Sequence, residues 1–206
     1  MNTNLIWMDG ELVPSRQATV HVLTPTLHYG LGIFEGIRAY KTDTGTAILR
    51  LKDHLTRFLE SAHIAGISGN PYTMEDLHQA TIETVQANQL QSCYIRPFMY
   101  MQGPLGINPD EWTPSIAIAA WEWGPYLGED AIKNGIHLMV SSFTRHHTNV
   151  MLTKAKVSGN YVNSAYAKSL AVRSGFDEAV LLDPEGYVAE CSGENIFLVK
   201  EEIIYT

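Results

Sequence analysis

Apolar and polar positions alternate along this chain with two different periods. Leu5-Ile6-Trp7-Met8 and Glu11-Leu12-Val13 flank Asp9-Gly10. A two-residue Asp-Gly loop between apolar runs predicts a hairpin, because both loop positions take positive φ. A polar, glycine-rich stretch follows, His28-Tyr29-Gly30-Leu31-Gly32-Ile33-Phe34-Glu35-Gly36. Residues 37–40 and 46–50 read as strands about Thr42-Asp43-Thr44-Gly45. Then the period changes. Leu55, Phe58, Leu59 and Ala62 recur at three and four residues, which predicts an amphipathic helix from Asp53 to about Ala65. Asp53 is suited to cap it and Gly66 to end it. Thr73-Met74-Glu75-Asp76 resembles a capping box, with Asp in place of the usual Glu, and opens a second helix running to about Asn88.

Period two returns at residues 93–101 and places Tyr94, Arg96, Phe98 and Tyr100 on one strand face. Pro97 within that run predicts an edge or a bulge. Residues 116–121 are apolar on both faces, as a buried strand is. Trp123-Gly124-Pro125-Tyr126-Leu127-Gly128 breaks the pattern and reads as an interdomain linker. A strand over 136–143 follows. Residues 160–174 read as a helix with Val162, Ala165, Tyr166, Ser169 and Val172 on one side and Gly175 as its stop. Two hairpins come last, turning at Pro184-Glu185-Gly186 and at Lys200-Glu201-Glu202. The mixture of strands and helices is an α/β (α+β) pattern.

The 206 residues, 45% hydrophobic and 17% charged, have ordinary globular composition. A net charge of −8 argues against nucleic acid and anionic membrane as partners. Cys93 and Cys191 make no disulfide framework and read as reduced thiols of a cytoplasmic protein. No signal peptide and no apolar stretch of transmembrane length is visible.

Several residues carry candidate chemistry. Lys156 sits among Ala155, Val157, Ser158 and Gly159, small neighbours that leave room for a ring. A Schiff-base lysine needs such a desolvated place. Taken alone it reads far more readily as a surface lysine, and Lys154 is not separated from it by composition. Tyr94 and Arg96 share a strand face, where a guanidinium on an aromatic surface makes a carboxylate receptor. Arg57 on the polar side of the first helix matches phosphate geometry or is simply solvated. Tyr29, Phe34, Trp123, Tyr126 and Tyr161 lie in loops or at element ends and together could line an apolar pocket. His146-His147 lacks neighbours to complete a metal site, so no metal is expected. Gly30-x-Gly32-x-x-x-Gly36 has the wrong spacing for a nucleotide-binding loop.

The order of these features is what identifies a family. His28-Tyr29-Gly30, then Phe34-Glu35-Gly36-Ile37-Arg38, Arg57, Tyr94-Ile95-Arg96-Pro97, Trp123-Gly124-x-Tyr126, Lys156 with Gly159-Asn160-Tyr161, and Glu190-Cys191-Ser192-Gly193-Glu194-Asn195-Ile196-Phe197 follow one another along the chain. This order resembles the branched-chain amino acid aminotransferases of fold type IV. The resemblance runs from Trp7 onward. It implies a two-domain α/β fold, with a small domain over 1–124, a linker over 125–134 and the first part of a large cofactor-binding domain over 135–206. It implies pyridoxal 5'-phosphate held as a Schiff base on Lys156. Arg57 would contact the cofactor phosphate, Tyr161 its phenolic oxygen and Glu190 its pyridine nitrogen. Tyr94, Arg96 and Arg38 would serve the substrate, with Arg96 suited to the distal carboxylate of glutamate. Phe34, Trp123 and Tyr126 would form the apolar pocket, and Tyr29 would reach a partner subunit's site in a homodimer or higher homo-oligomer. The implied reaction moves the amino group of leucine, isoleucine or valine to 2-oxoglutarate. D-amino acid transaminases and aminodeoxychorismate lyases share the fold and are the neighbouring readings, with a non-catalytic fragment as the rival of another class. Members of the family continue for roughly another hundred residues beyond the position of Thr206. That continuation supplies backbone donors for phosphate and substrate carboxylate, so 206 residues alone are expected to be poorly active or inactive.

Overall fold

The computed structural model describes residues 3–124 and 127–206. Two compact units divide the chain: Met1–Gly124 with Lys154–Gly159, and Pro125–Thr153 with Asn160–Thr206. The division differs from the expected one in two places. The Lys154–Gly159 segment pairs within the first unit, and part of the expected linker forms a short helix of the second.

In the first unit, β1 (Leu5–Met8) and β2 (Glu11–Pro14) form the hairpin, with Asp9 at φ 47° and Gly10 at φ 100°. A five-residue helix that no period announces, α1 (Pro25–Tyr29), precedes β3 (Gly32–Phe34), β4 (Ile37–Thr42) and β5 (Gly45–Ile48). Helices α2 (Leu51–Ile64) and α3 (Met74–Ala87) lead to the long strands β6 (Cys93–Gln102) and β7 (Thr113–Trp121). The sheet is antiparallel in the order β2-β1-β7-β6-β4-β5, with β3 also paired to β6. The two helices bury Leu55, Phe58 and Leu77 against Ile33, Ile37, Ile95, Met99, Ile116 and Ile118 of the sheet. That layer is the core of the unit.

Two local expectations need correction. Helix α2 begins at Leu51, before Asp53, and its N-cap is Arg50 in the left-handed region without a side-chain cap. Asp53 lies in the first turn and pairs with Arg50 at 2.6 Å, where a carboxylate complements the helix dipole. Pro97 marks neither an edge nor a bulge, since β6 is paired on both sides. β3 ends opposite Phe98 and β4 starts opposite Ile95, so Pro97 faces the Glu35-Gly36 break between them. Its carbonyl accepts from Glu35 N at 3.0 Å, and its missing N–H falls opposite the Glu35-Gly36 break between β3 and β4. The capping box at Thr73 and Asp76 forms as expected.

The second unit holds α4 (Glu129–Asn134), β8 (Leu138–Val140), α5 (Tyr161–Arg173), β9 (Glu178–Leu182) and β10 (Val188–Cys191). β8 runs parallel to β9 and β10 antiparallel to it. The hairpin β11 (Leu198–Lys200) and β12 (Ile203–Tyr205) turns through Glu201 and Glu202, both at positive φ. Helix α5 is turned relative to its expected orientation. Ser164, Ala167 and Ala171 are buried, and the two alanines pack on Ala179 and Leu181, while Val162, Ala165, Tyr166 and Val172 are exposed. Small side chains let a helix approach a strand closely, and here that outweighs the larger apolar face.

Candidate active site

The sheet face opposite α2 and α3 carries Phe34, Arg38, Tyr94 and Arg96 of the predicted residues. Along β6, Cys93, Ile95 and Met99 enter the core, and Tyr94, Arg96 and Phe98 point the other way. Register brings Arg38 and Trp121 opposite Tyr94, and Phe34 opposite Phe98. The Tyr94 ring lies 5.1 Å from that of Trp121 and 4.9 Å from that of Trp123, edge-on to the latter. Arg96 Nη2 donates to the Tyr94 hydroxyl at 2.7 Å, and the guanidinium carbon stands 4.6 Å from the Phe34 ring centroid. Arg96 Nε is buried with no hydrogen-bond partner among the described residues. A buried donor of that kind is costly unless an acceptor arrives, and a carboxylate is the natural one.

Lys156 joins this face through its backbone. Val157 makes an isolated antiparallel bridge with Ile33, and Phe34 N donates to Lys156 O at 3.2 Å, so the segment is held against β3. Ala155 and Val157 are buried in the core, and Lys156 between them points outward, with Nζ 5.1 Å from the Phe34 ring centroid. Lys154 is exposed. Residues two apart share a face, so what distinguishes Lys156 from Lys154 is its partial burial and its place beside the Phe34 ring. Two further contacts hold the segment. Lys156 N donates to Ser61 Oγ of α2 at 3.1 Å, and Gly159 N donates to Gly30 O at 2.9 Å.

Arg57 lies on the same face of α2 as Ser61, one turn away. Its Nε and Nη2 donate to the two oxygens of Glu35 at 2.6 and 2.8 Å. The Glu35 side chain is fully buried, that of Arg57 is 52% exposed, and His54 Nδ1 contacts Glu35 Oε2 at 2.8 Å. Burial pushes the Glu35 carboxyl up, but its bonds from Arg57 and His54 more than offset this and leave it below the ordinary glutamate value. Glu35 carries a signal that was overlooked: Ile33-x-Glu35-x-Ile37 puts an acid in a period-two apolar row. Arg38 is placed otherwise than expected. Its guanidinium donates to the carbonyls of Trp123 and Gly124, so its contact is with the backbone that carries an aromatic of this face. Tyr29 stacks on Trp112 at 5.5 Å, and Tyr126 lies outside the described residues.

In the second unit, Tyr161 opens α5 and is partly buried. Glu190 on β10 forms an ion pair with Arg145 Nε. Arg145 Nη1 also donates to Asn163 Oδ1 at 3.0 Å and Ser164 Oγ at 3.2 Å, which ties the carboxylate to α5. Sequence reasoning missed Arg145, because it stands in an irregular segment beside the more conspicuous His146 and His147. Burial, then the Arg145 charge, holds the His146 imidazole below its ordinary value. Among the described residues no three His, Cys, Asp or Glu side chains group as metal ligands.

The first unit thus holds Lys156 beside an aromatic ring and Arg57 on an acid, and the second holds Glu190 on Arg145. Residues 32–206 match the amino-transferase class IV family, and the chain belongs to it. It is 52% identical over 203 residues to a branched-chain-amino-acid aminotransferase of Pseudomonas aeruginosa, covering 98% of this chain and 66% of that protein. The corresponding protein of Escherichia coli strain K12 is 39% identical over 203 residues, with 98% and 65% covered. Among solved structures, a T.th. branched-chain amino acid aminotransferase with pyridoxamine 5'-phosphate superposes with a TM-score of 0.94 at 51% identity, covering 100% of this chain and 68% of that one. The Escherichia coli enzyme gives 0.96 at 38% identity, with the same coverage of 100% and 68%. The fold is thus the fold-type IV aminotransferase fold, and the chain spans about two-thirds of the length of the relatives it matches.

Proposed function

We propose that this protein is a pyridoxal-phosphate-dependent aminotransferase that moves the amino group between branched-chain L-amino acids (leucine, isoleucine, valine) and 2-oxoglutarate. The observation that carries the reading is Lys156, set between two core residues with Nζ beside the Phe34 ring. The residues fit the cofactor on their own chemistry. A partly buried lysine, an arginine fork already oriented on an acid, and a carboxylate held by Arg145 are the groups its aldehyde, phosphate and ring nitrogen require. Relatives solved with pyridoxamine 5'-phosphate and with N-(5'-phosphopyridoxyl)-L-glutamate support the choice.

Pyridoxal phosphate, when bound, supplies an electron sink for charge developing at the substrate α-carbon. Lys156 Nζ would hold the cofactor covalently and, as a free amine, would take the proton from the substrate α-carbon as base and deliver it as acid to the cofactor carbon. Glu190, as a carboxylate, keeps a proton on the pyridine nitrogen. Tyr161 donates to the phenolic oxygen, and Arg57 meets the phosphate. Arg96, with Tyr94, receives a substrate carboxylate on its buried Nε. Phe34, Trp123 and Tyr126 take the aliphatic side chain, and Arg38 positions Trp123. One pocket must accept an isobutyl group and a carboxylate in turn, and aromatic walls with an arginine at the rim meet both demands. A homodimer or higher homo-oligomer belongs to the proposal. Tyr29, with Val22 and Leu27 near it in the chain, is exposed on the first unit and suits a subunit contact. A cytoplasmic location accords with Cys93 and Cys191 both being free thiols.

The test is spectroscopic first. Protein saturated with cofactor shows an absorbance band at the blue edge of the visible, and Lys156→Ala abolishes it. Assays with L-leucine, L-isoleucine, L-valine, D-alanine and an aromatic amino acid then rank substrates. No band, or a preference for D-alanine, overturns the reading.

A further inference from the structure

We infer that Glu35 is a positioning residue that holds the Arg57 guanidinium ready for the cofactor phosphate; this rests on the assignment of Arg57 above. Glu35 lies on the core face of the sheet, in the row Ile33, Glu35, Ile37, and its side chain is fully buried. An acid has no place in such a row unless it is paired. Both of its oxygens are engaged: Oε1 by Arg57 Nε, and Oε2 by Arg57 Nη2, His54 Nδ1 and, at 3.3 Å, Gly36 N. Its backbone is fixed as well, through Glu35 N to Pro97 O. The acid is therefore held at both oxygens and at its backbone, and the arginine it grips is half-exposed.

The geometry gives that constraint a purpose. His54, Arg57 and Ser61 lie on one face of α2, and Ser61 Oγ accepts from Lys156 N. Arg57 is therefore anchored on α2 about one helical turn, roughly 5.4 Å along the axis, from the Ser61 that holds the Lys156 backbone. Glu35 engages two of the five N–H donors of Arg57 as a side-on fork. A side chain with large rotamer freedom is thereby ordered before any anion arrives.

Two effects oppose each other. Ordering favours phosphate binding, while the Glu35 charge disfavours an anion nearby. Ordering wins in this assignment, so removing the charge weakens binding instead of strengthening it. Titration of the apoprotein with pyridoxal phosphate and with pyridoxal, which lacks the phosphate, separates the possibilities. Glu35→Gln weakens pyridoxal phosphate binding roughly tenfold, the scale of one arginine's rotamer freedom, and leaves pyridoxal unchanged. Glu35→Asp recovers part of the loss. Arg57→Ala shows the same phosphate-selective loss, and adding Glu35→Gln to it costs nothing more. Where Glu35→Gln does not fold, His54→Gln loosens the same carboxylate and gives a smaller loss of the same selectivity. Unchanged or tighter phosphate binding in Glu35→Gln overturns the inference, as does an equal loss for both compounds. Unaltered pyridoxal phosphate binding in Arg57→Ala overturns the phosphate assignment itself.

Discussion

Replacing Gly30 by alanine tests how the Lys156 segment is held. Gly30 caps α1 at φ 73°, and a Cβ there meets the Gly159 Cα at 3.0 Å. Two costs add. The left-handed conformation costs an L-residue about 1–2 kcal/mol. The contact pushes away the segment whose Gly159 N donates to Gly30 O, a bond worth about 1 kcal/mol. Gly30→Ala is thus expected to destabilise the first unit by about 2–3 kcal/mol. Gly159→Ala meets Gly30 O at 3.2 Å without a positive φ, so it costs less, about 1 kcal/mol. The four tryptophans, Trp7, Trp112, Trp121 and Trp123, all lie in the first unit, so urea unfolding followed by tryptophan fluorescence reports on it. Gly30→Ala also weakens the absorbance band on Lys156, because the lysine's strand is displaced. Equal unfolding midpoints for wild type and Gly30→Ala, or a larger effect from Gly159→Ala, would refute this account of the clamp.

Burial pushes the Cys93 thiol up to about 11, so at pH 8 it stays unlabelled by a thiol-specific disulfide reagent until urea unfolds the protein; native labelling at a free-thiol rate contradicts this. The Glu35 carboxyl is held below its ordinary value, so its contribution to stability is complete above about pH 5 and is lost as pH falls through the folded value. Acid-unfolding curves of Glu35→Gln are accordingly shallower on that limb, and identical curves count against the pairing. Arg145→Ala strips donors from Glu190, Asn163 and Ser164. Amide-exchange protection in α5 should fall by about 2 kcal/mol, and unchanged protection would mean the hub is idle.

The elements that sequence reasoning found are those set by local chemistry. Asp9-Gly10 turns a hairpin and Thr73 with Asp76 caps a helix, because neighbours in the chain are enough for both. The elements it misplaced depend on distant partners. Helix α5 shows its larger apolar face outward because Ala179 and Leu181 select the small one, and no period in residues 160–174 records that choice. The start of α2 slipped because Arg50 takes a left-handed cap that its residue type does not favour. At the site, Lys154 and Lys156 stand two residues apart and share a face, so only the Phe34 contact seen in three dimensions distinguishes Lys156. Glu35 was visible in its period-two row. Arg145 was not, since an arginine in irregular backbone reveals its acid only in three dimensions.

Pro97 also bears on how β6 finds its alignment. A slip of one residue would turn Arg96 and Tyr94 into the helix-covered layer, and their polar groups forbid it. A slip of two keeps every side chain on its proper face, so burial alone cannot reject it. It would, however, set the proline against a paired stretch of β3 or β4 and leave a carbonyl there without a donor. The imino acid therefore disfavours that slip. Only the native alignment brings its missing hydrogen to the gap, and that same alignment lays the Arg96 guanidinium across the Phe34 ring.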